Sequence, residues 1–132
     1  YPNGHFAIVF NNSNPDMQSR GVQIIANRMS GFRFGGLFLI GSGHTVQANS
    51  FLHLNLAHCN DNPASGCLYK AGEPDLLRSG IYLGADTERP DPATGNVIEG
   101  NLIQGYGMQK WCISSAPAIR REANTILNNV CR

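Results

Sequence analysis

The sequence predicts an all-β fold, a right-handed parallel β-helix (solenoid) of about four coils with two inserted loops, with residues 1–132 forming a single domain. Three observations predict it: an Asn that recurs at a nearly fixed spacing, a second set of short alternating apolar segments, and a turn-rich composition. The 132 residues include 15 Gly and 7 Pro and are 42% hydrophobic but only 14% charged, which favours short strands and turns over long helices.

The recurring Asn sits in the segments Ile24-Ile25-Ala26-Asn27-Arg28-Met29, Val46-Gln47-Ala48-Asn49-Ser50-Phe51, Ile98-Glu99-Gly100-Asn101-Leu102-Ile103 and Arg121-Glu122-Ala123-Asn124-Thr125-Ile126. Their common form is apolar-x-small-Asn-x-apolar. Asn27 and Asn49 are 22 residues apart and Asn101 and Asn124 are 23 apart, while Asn49 to Asn101 spans 52, one coil plus an excursion. A coil of about 22 residues cannot bury its own apolar face, so each strand must pair with its equivalents above and below. Ile24, Val46 and Ile98 are then expected to stack as one inward column, and Met29, Phe51, Ile103 and Ile126 as another. Asn27, Asn49, Asn101 and Asn124 are read as the structural turn, each in a left-handed conformation with its amide bonded along the axis. Arg121 falls in the aligned inward column, where an unpaired charge is costly. Either the last coil is offset, or it is an open end from which Arg121 reaches solvent; the open end is preferred.

The second column consists of Gly36-Leu37-Phe38-Leu39, Gly80-Ile81-Tyr82-Leu83 and Lys110-Trp111-Cys112-Ile113, with His5 to Phe10 opening the series. Two excursions interrupt the repeat. Residues 55–79 carry Cys59, Cys67 and several Pro and Gly turns, and residues 85–95 are acidic and Pro-rich; loops on a rigid scaffold are favoured places for function.

A formal net charge of +1 gives no field favouring nucleic acid. No apolar run is long enough to span a membrane. The start, Tyr1-Pro2-Asn3-Gly4, lacks a signal-peptide layout, so a secreted form is expected to have lost its leader already. Four Cys suggest two local disulfides, Cys59 with Cys67 and Cys112 with Cys131, and an extracellular or secreted setting; four buried free thiols are the other reading.

The coils resemble the pectin lyase-like superfamily of right-handed parallel β-helices, whose short repeats have the form Val-x-x-Asn-x-Phe or Ile-x-x-Asn-x-Ile. The likeness covers roughly residues 4–54 and 80–131. It implies fold more than chemistry, because the Asn pattern reports backbone geometry. Many members cleave or bind extracellular polysaccharides along an outer groove, whereas others are fibres or adhesins. This chain departs from the active members in having fewer coils, no visible cap and no recognisable catalytic motif. Gly41-Ser42-Gly43-His44 lacks the second Gly of the polygalacturonase Gly-His-Gly.

A lyase needs a cation or metal at the uronate carboxylate and a base beside it, and a glycosidase needs two carboxyls. Asp86, Glu88, Lys110 and Arg120 are the candidate catalytic residues. Asp86, Glu88 and Asp91 also form a candidate Ca²⁺ set, against the simpler reading of a solvated acidic loop. Phe38, Tyr82, Tyr106 and Arg121 are candidate substrate-binding residues, with Phe32 beside them; exposed rings would suit sugar faces, and packing beneath the inserted loop explains them equally well. His44, His53 and His58 lack zinc spacing. The expected function is that of an extracellular carbohydrate-active or carbohydrate-binding protein acting on a polysaccharide, with uronans as candidates, and lyase-like or hydrolase-like chemistry if it is catalytic. The alternative is a non-catalytic solenoid module that self-associates through open ends, as a whole protein or as a piece of a longer solenoid.

Overall fold

A computed structural model of the chain describes residues 6–10, 19–59, 73–85 and 91–132. Among them are twelve short strands: β1 (Ile8–Val9), β2 (Gln23–Ile25), β3 (Arg28–Ser30), β4 (Leu37–Leu39), β5 (Thr45–Gln47), β6 (Ser50–Leu54), β7 (Ile81–Leu83), β8 (Val97–Glu99), β9 (Leu102–Gly105), β10 (Ile113–Ser115), β11 (Thr125–Leu127) and β12 (Val130–Cys131). Helix is confined to two short 3₁₀ turns, Leu76–Arg78 and Arg121–Ala123. The strands form three four-stranded sheets with orders β1-β4-β7-β10, β2-β5-β8-β11 and β3-β6-β9-β12, and every pairing is parallel. Each circuit gives one strand to each sheet, an arrangement consistent with a parallel β-helix.

Why these residues form strands follows from the side chains turned inward. Ile24, Val46, Ile98 and Ile126 share one register position, and Met29, Phe51, Ile103 and Cys131 another. Strands this short hold only because each inward side chain lies on its equivalents one circuit away. Val46, Phe51, Ile98 and Ile103 in the middle circuits are wholly buried, with Leu37, Leu39, Ile81 and Leu83 from the first sheet.

The fourth circuit departs from the sequence alignment. Ile126 stacks on Ile98 rather than on Ile103, and Cys131 takes the place expected of Ile126. The apolar-x-small-Asn-x-apolar form fits Ile126-Leu127-Asn128-Asn129-Val130-Cys131 as well as it fits Arg121 to Ile126, and burying Ile126 in the column avoids burying a charge there. Arg121 belongs to a 3₁₀ turn instead, so the offset, not the open end, accounts for it. Ile113 likewise pairs with Ile81, in the column of Leu37, two positions from its predicted place opposite Leu83.

The corner between the second and third sheets explains the recurring Asn. The left-handed residue is the one before it: Ala26, Ala48 and Asn128 have φ of 56°, and Gly100 has 66°. The predicted left-handed Asn is therefore corrected to the small residue ahead of it, which carries the bend while the Asn amide faces the axis. Asn27 donates from its N–H and Nδ2 to Oδ1 of Asn49, Asn49 does the same to Asn101, and Asn101 to Asn129, all at 2.9–3.1 Å. The second Nδ2 hydrogen reaches a carbonyl of the preceding circuit, Ile24 for Asn49, Val46 for Asn101 and Ile98 for Asn129. Buried amides this fully bonded stabilise rather than penalise the core.

Asn124 is not the fourth rung of that ladder. It accepts from the N–H and Nδ2 of Asn96 at 3.1 and 2.9 Å, in a second ladder at the corner between the first and second sheets. Gly21, Gly43 and Gly95 supply the positive φ there, and His44 occupies the rung one circuit before Asn96.

The disulfide Cys112–Cys131 spans 19 residues and joins the first and third sheets within the last circuit. Cys59 is also disulfide-bonded; its predicted partner Cys67 lies outside the described residues.

Candidate functional site

The sequence-derived site residues are divided among different places. Asp86 and Glu88 lie outside the described residues. Lys110 precedes β10 and the exposed Arg120 follows it, so the two cations belong to opposite ends of one strand rather than to one groove. Arg121 follows Arg120 in the 3₁₀ turn.

Asp91 is buried. Its carboxylate accepts from the Ser19 N–H at 2.8 Å and pairs with Arg20 at 3.1 Å, which ties the first circuit to the third. That use competes with the Ca²⁺ role, and no group of three metal-ligating side chains occurs among the described residues.

The exposed aromatic stripe is corrected as well. Tyr82 is fully buried, stacked on half-buried Phe38 with ring centroids 5.8 Å apart, and its hydroxyl reaches Glu73 at 3.3 Å. These rings pack under Leu76, Leu77 and Ile119 in a satellite core outside the first sheet. Burial, reinforced by the Glu73 carboxylate, holds the Tyr82 phenol above its usual pKa. Phe32 packs against the main core.

Tyr106 alone of the predicted rings is strongly exposed, at 40%. Its corner, between the third sheet and the first, gathers side chains from several circuits. Tyr106 follows β9 and stacks face to face with exposed His58 at 3.8 Å and 11°. The stack is held from below by Asn55, whose Nδ2 donates to the Tyr106 carbonyl and whose Oδ1 accepts from the Cys59 N–H. Five residues on, Trp111 lies beneath the Arg78 guanidinium, 3.7 Å from the ring centroid, with the Lys110 ammonium at 5.2 Å. Asp75 pairs with Arg78 and fixes it over the indole. Exposed Arg33 begins the row one circuit before His58, whose neighbour Ala57 donates to the Arg33 carbonyl.

Sequence reasoning missed Trp111, Arg78 and His58 as members of this corner. In sequence Trp111 reads as a strand residue, and Arg78 sits inside an excursion with no repeat to place it. A signal was available in Lys110-Trp111, a cation beside the chain's single Trp.

His44 has a structural post. Its Nδ1 accepts from the Val22 N–H at 3.0 Å, so Nε2 carries the proton toward the Ile40 carbonyl, also at 3.0 Å. Phe10 packs edge-on to the ring at 4.9 Å. Burial lowers its pKa; the Ile40 carbonyl and Asp91 oppose that, and Arg20 adds to it.

A concavity of about 380 Å³ lies at the last circuit, lined by Lys110, Cys112, Ile113, Ile126, Asn128, Asn129 and Cys131, and Lys110 is the residue it shares with this corner. Among the described residues no helix is long and apolar enough to cross a membrane. Compared with family models, curated proteins and solved structures, the chain has no match.

Proposed function

We propose that the chain forms an extracellular right-handed parallel β-helix of the pectin lyase-like kind that binds an acidic polysaccharide along the Arg33–His58–Tyr106–Trp111 corner. The observation that carries this reading is the pairing of stacked rings with cations on one edge of successive circuits. Sugar C–H faces pack against rings, and Lys110 and Arg33 add positive charge suited to uronate carboxylates. Spacing by circuit supports it too, because a linear polymer can run along the row. Right-handedness follows from the general preference of parallel crossover connections. The Cys112–Cys131 disulfide favours an oxidising compartment. Asp86 and Glu88 lie outside the described residues, and binding rather than bond cleavage is what this corner supports.

Trp111 is the single Trp, so its fluorescence reads the site directly. Titration with polygalacturonate or alginate is expected to change Trp emission saturably. Tyr106→Ala and Lys110→Ala should each weaken binding by about tenfold, or about 1.4 kcal/mol. Unchanged emission and no retention on either uronan would contradict the proposal. The competing reading, a solenoid module that stacks with other coils, draws on the last circuit.

A further inference from the structure

We infer that the end of the solenoid formed by β10, β11 and β12 is a docking surface for one further parallel coil, carrying its own Asn in register with Asn129. The ladder has a direction, and that direction identifies the occupant. At each interior rung the backbone N–H and Nδ2 both donate toward the following circuit, into one Asn Oδ1. Asn129 has the same geometry behind it, accepting from Asn101 and donating to Ile98, but among the described residues its N–H has no acceptor ahead. Asn124 repeats the pattern at the second corner, accepting from Asn96 and donating to Ala93. At this end the backbone N–H groups of half-buried Asn129 and buried Asn124 thus have no acceptor among the described residues, where each equivalent donor elsewhere in the molecule is matched by a single amide oxygen.

The apolar columns end on the same face. Ile98 and Ile103 are wholly covered, whereas Ile126 and Ile113 are half-buried, and they floor the 380 Å³ concavity with Asn129 beside them. Leu127 and Val130 on the edge strands remain about half exposed. A polysaccharide would meet the donors but not the apolar columns, and an apolar ligand would leave the donors unpaired. A coil of the form apolar-x-small-Asn-x-apolar satisfies both, with its first apolar residue over Ile126, its last over Cys131 and its Asn Oδ1 between the Asn129 donors. At the opposite end Ile24 is buried while Ile8 and Met29 are half-buried, but Asn27 directs its backbone N–H into Asn49, so that rung offers a coil no outward backbone donor.

The test begins with amide hydrogen exchange on the chain as it stands. Asn49, Asn96 and Asn101 amides should exchange at least a hundredfold more slowly than Asn124 and Asn129; equal protection would overturn the inference. The chain is then extended beyond Arg132 by a copy of residues 105–132, which matches the 28-residue spacing from Asn101 to Asn129. Protection at Asn124 and Asn129 should rise at least tenfold, and a version with the copied Asn129→Leu should lose the gain at Asn129. If the extension fails to fold, the same copy is added as a free peptide at millimolar concentration, and the shift in exchange at those two amides is read instead. No gain in either format, or an equal gain with the Leu version, would overturn the inference. Protection that grows with concentration of the unextended chain would assign the face to a second copy, and protection produced by polygalacturonate would assign it to sugar; either result overturns the proposed occupant.

Discussion

Asn49 ties neighbouring circuits together, because its amide bonds to Asn27, Asn101 and Ile24 from a wholly buried position. Asn49→Leu should destabilise the chain by about 3 kcal/mol in chemical denaturation, since buried partners lose hydrogen bonds that water cannot replace. The exposed Asn27→Leu should cost about 1 kcal/mol or less by the same principle. His44 makes a pH-dependent counterpart. Its folded pKa lies below the 6.5 of a free imidazole, so the unfolded chain takes up the proton first. Stability should therefore be complete above about pH 6.5 and fall as pH drops through 6.5 toward the folded pKa, because an imidazolium cannot accept from the Val22 N–H. His44→Asn, the residue found on later rungs, should flatten this limb; an unchanged acid limb in urea midpoints against pH would contradict the assignment. At this scale the sequence was legible where residue type and geometry coincide. Asn27, Asn49 and Asn101 were identified correctly as a column, but their conformational role was not, because a left-handed residue beside an Asn looks the same in sequence as a left-handed Asn.

The strands themselves are only two to five residues long, so their register depends on close approach between circuits. Gly80 shows this directly: a Cβ there would lie 2.4 Å from Ile103 Cγ2 and 2.8 Å from the Cys112 carbonyl oxygen. Gly80→Ala should lower stability by about 2 kcal/mol, with overpacking as the cause. Gly95→Ala meets nothing within 4 Å but sits at φ +66°, so its cost should be nearer 1 kcal/mol. Comparable thermal midpoints for the two variants would argue against close contact at Gly80. Three of the four strands in the first sheet were visible as alternating apolar segments, including the opening strand at Ile8–Val9. The fourth was misplaced by two residues, since Trp111-Cys112-Ile113 alternates as convincingly as Ile113-Ser114-Ser115 and only pairing with Ile81 chooses between them. The proposed corner is half legible: Tyr106 and Lys110 stand out as types, whereas His58 and Arg78 come from the preceding excursion and meet Tyr106 and Trp111 only in three dimensions.

For the molecule as a whole, order is conferred by stacking, and among the described residues the circuit of β10 to β12 has a neighbour on one side only. The Cys112–Cys131 disulfide closes that circuit across its interior, and reducing it should cost about 3 kcal/mol in the chain-entropy model for a loop of this length. The loss should appear first as faster exchange in β10 to β12, while β5 and β6 keep their protection; uniform loosening would contradict a local role. The wide separation of the Asn in sequence and their closeness in space made the general architecture readable, but the five-residue shift of the final rung was hidden because two segments fit one motif. The most direct test of the stacked architecture is therefore a set of NOEs among the Asn side-chain amides. The Nδ2 protons of Asn101 should show contacts to Asn129, and those of Asn96 to Asn124, with none linking Asn101 to Asn124. Contacts between Asn101 and Asn124, or none from either pair, would contradict it.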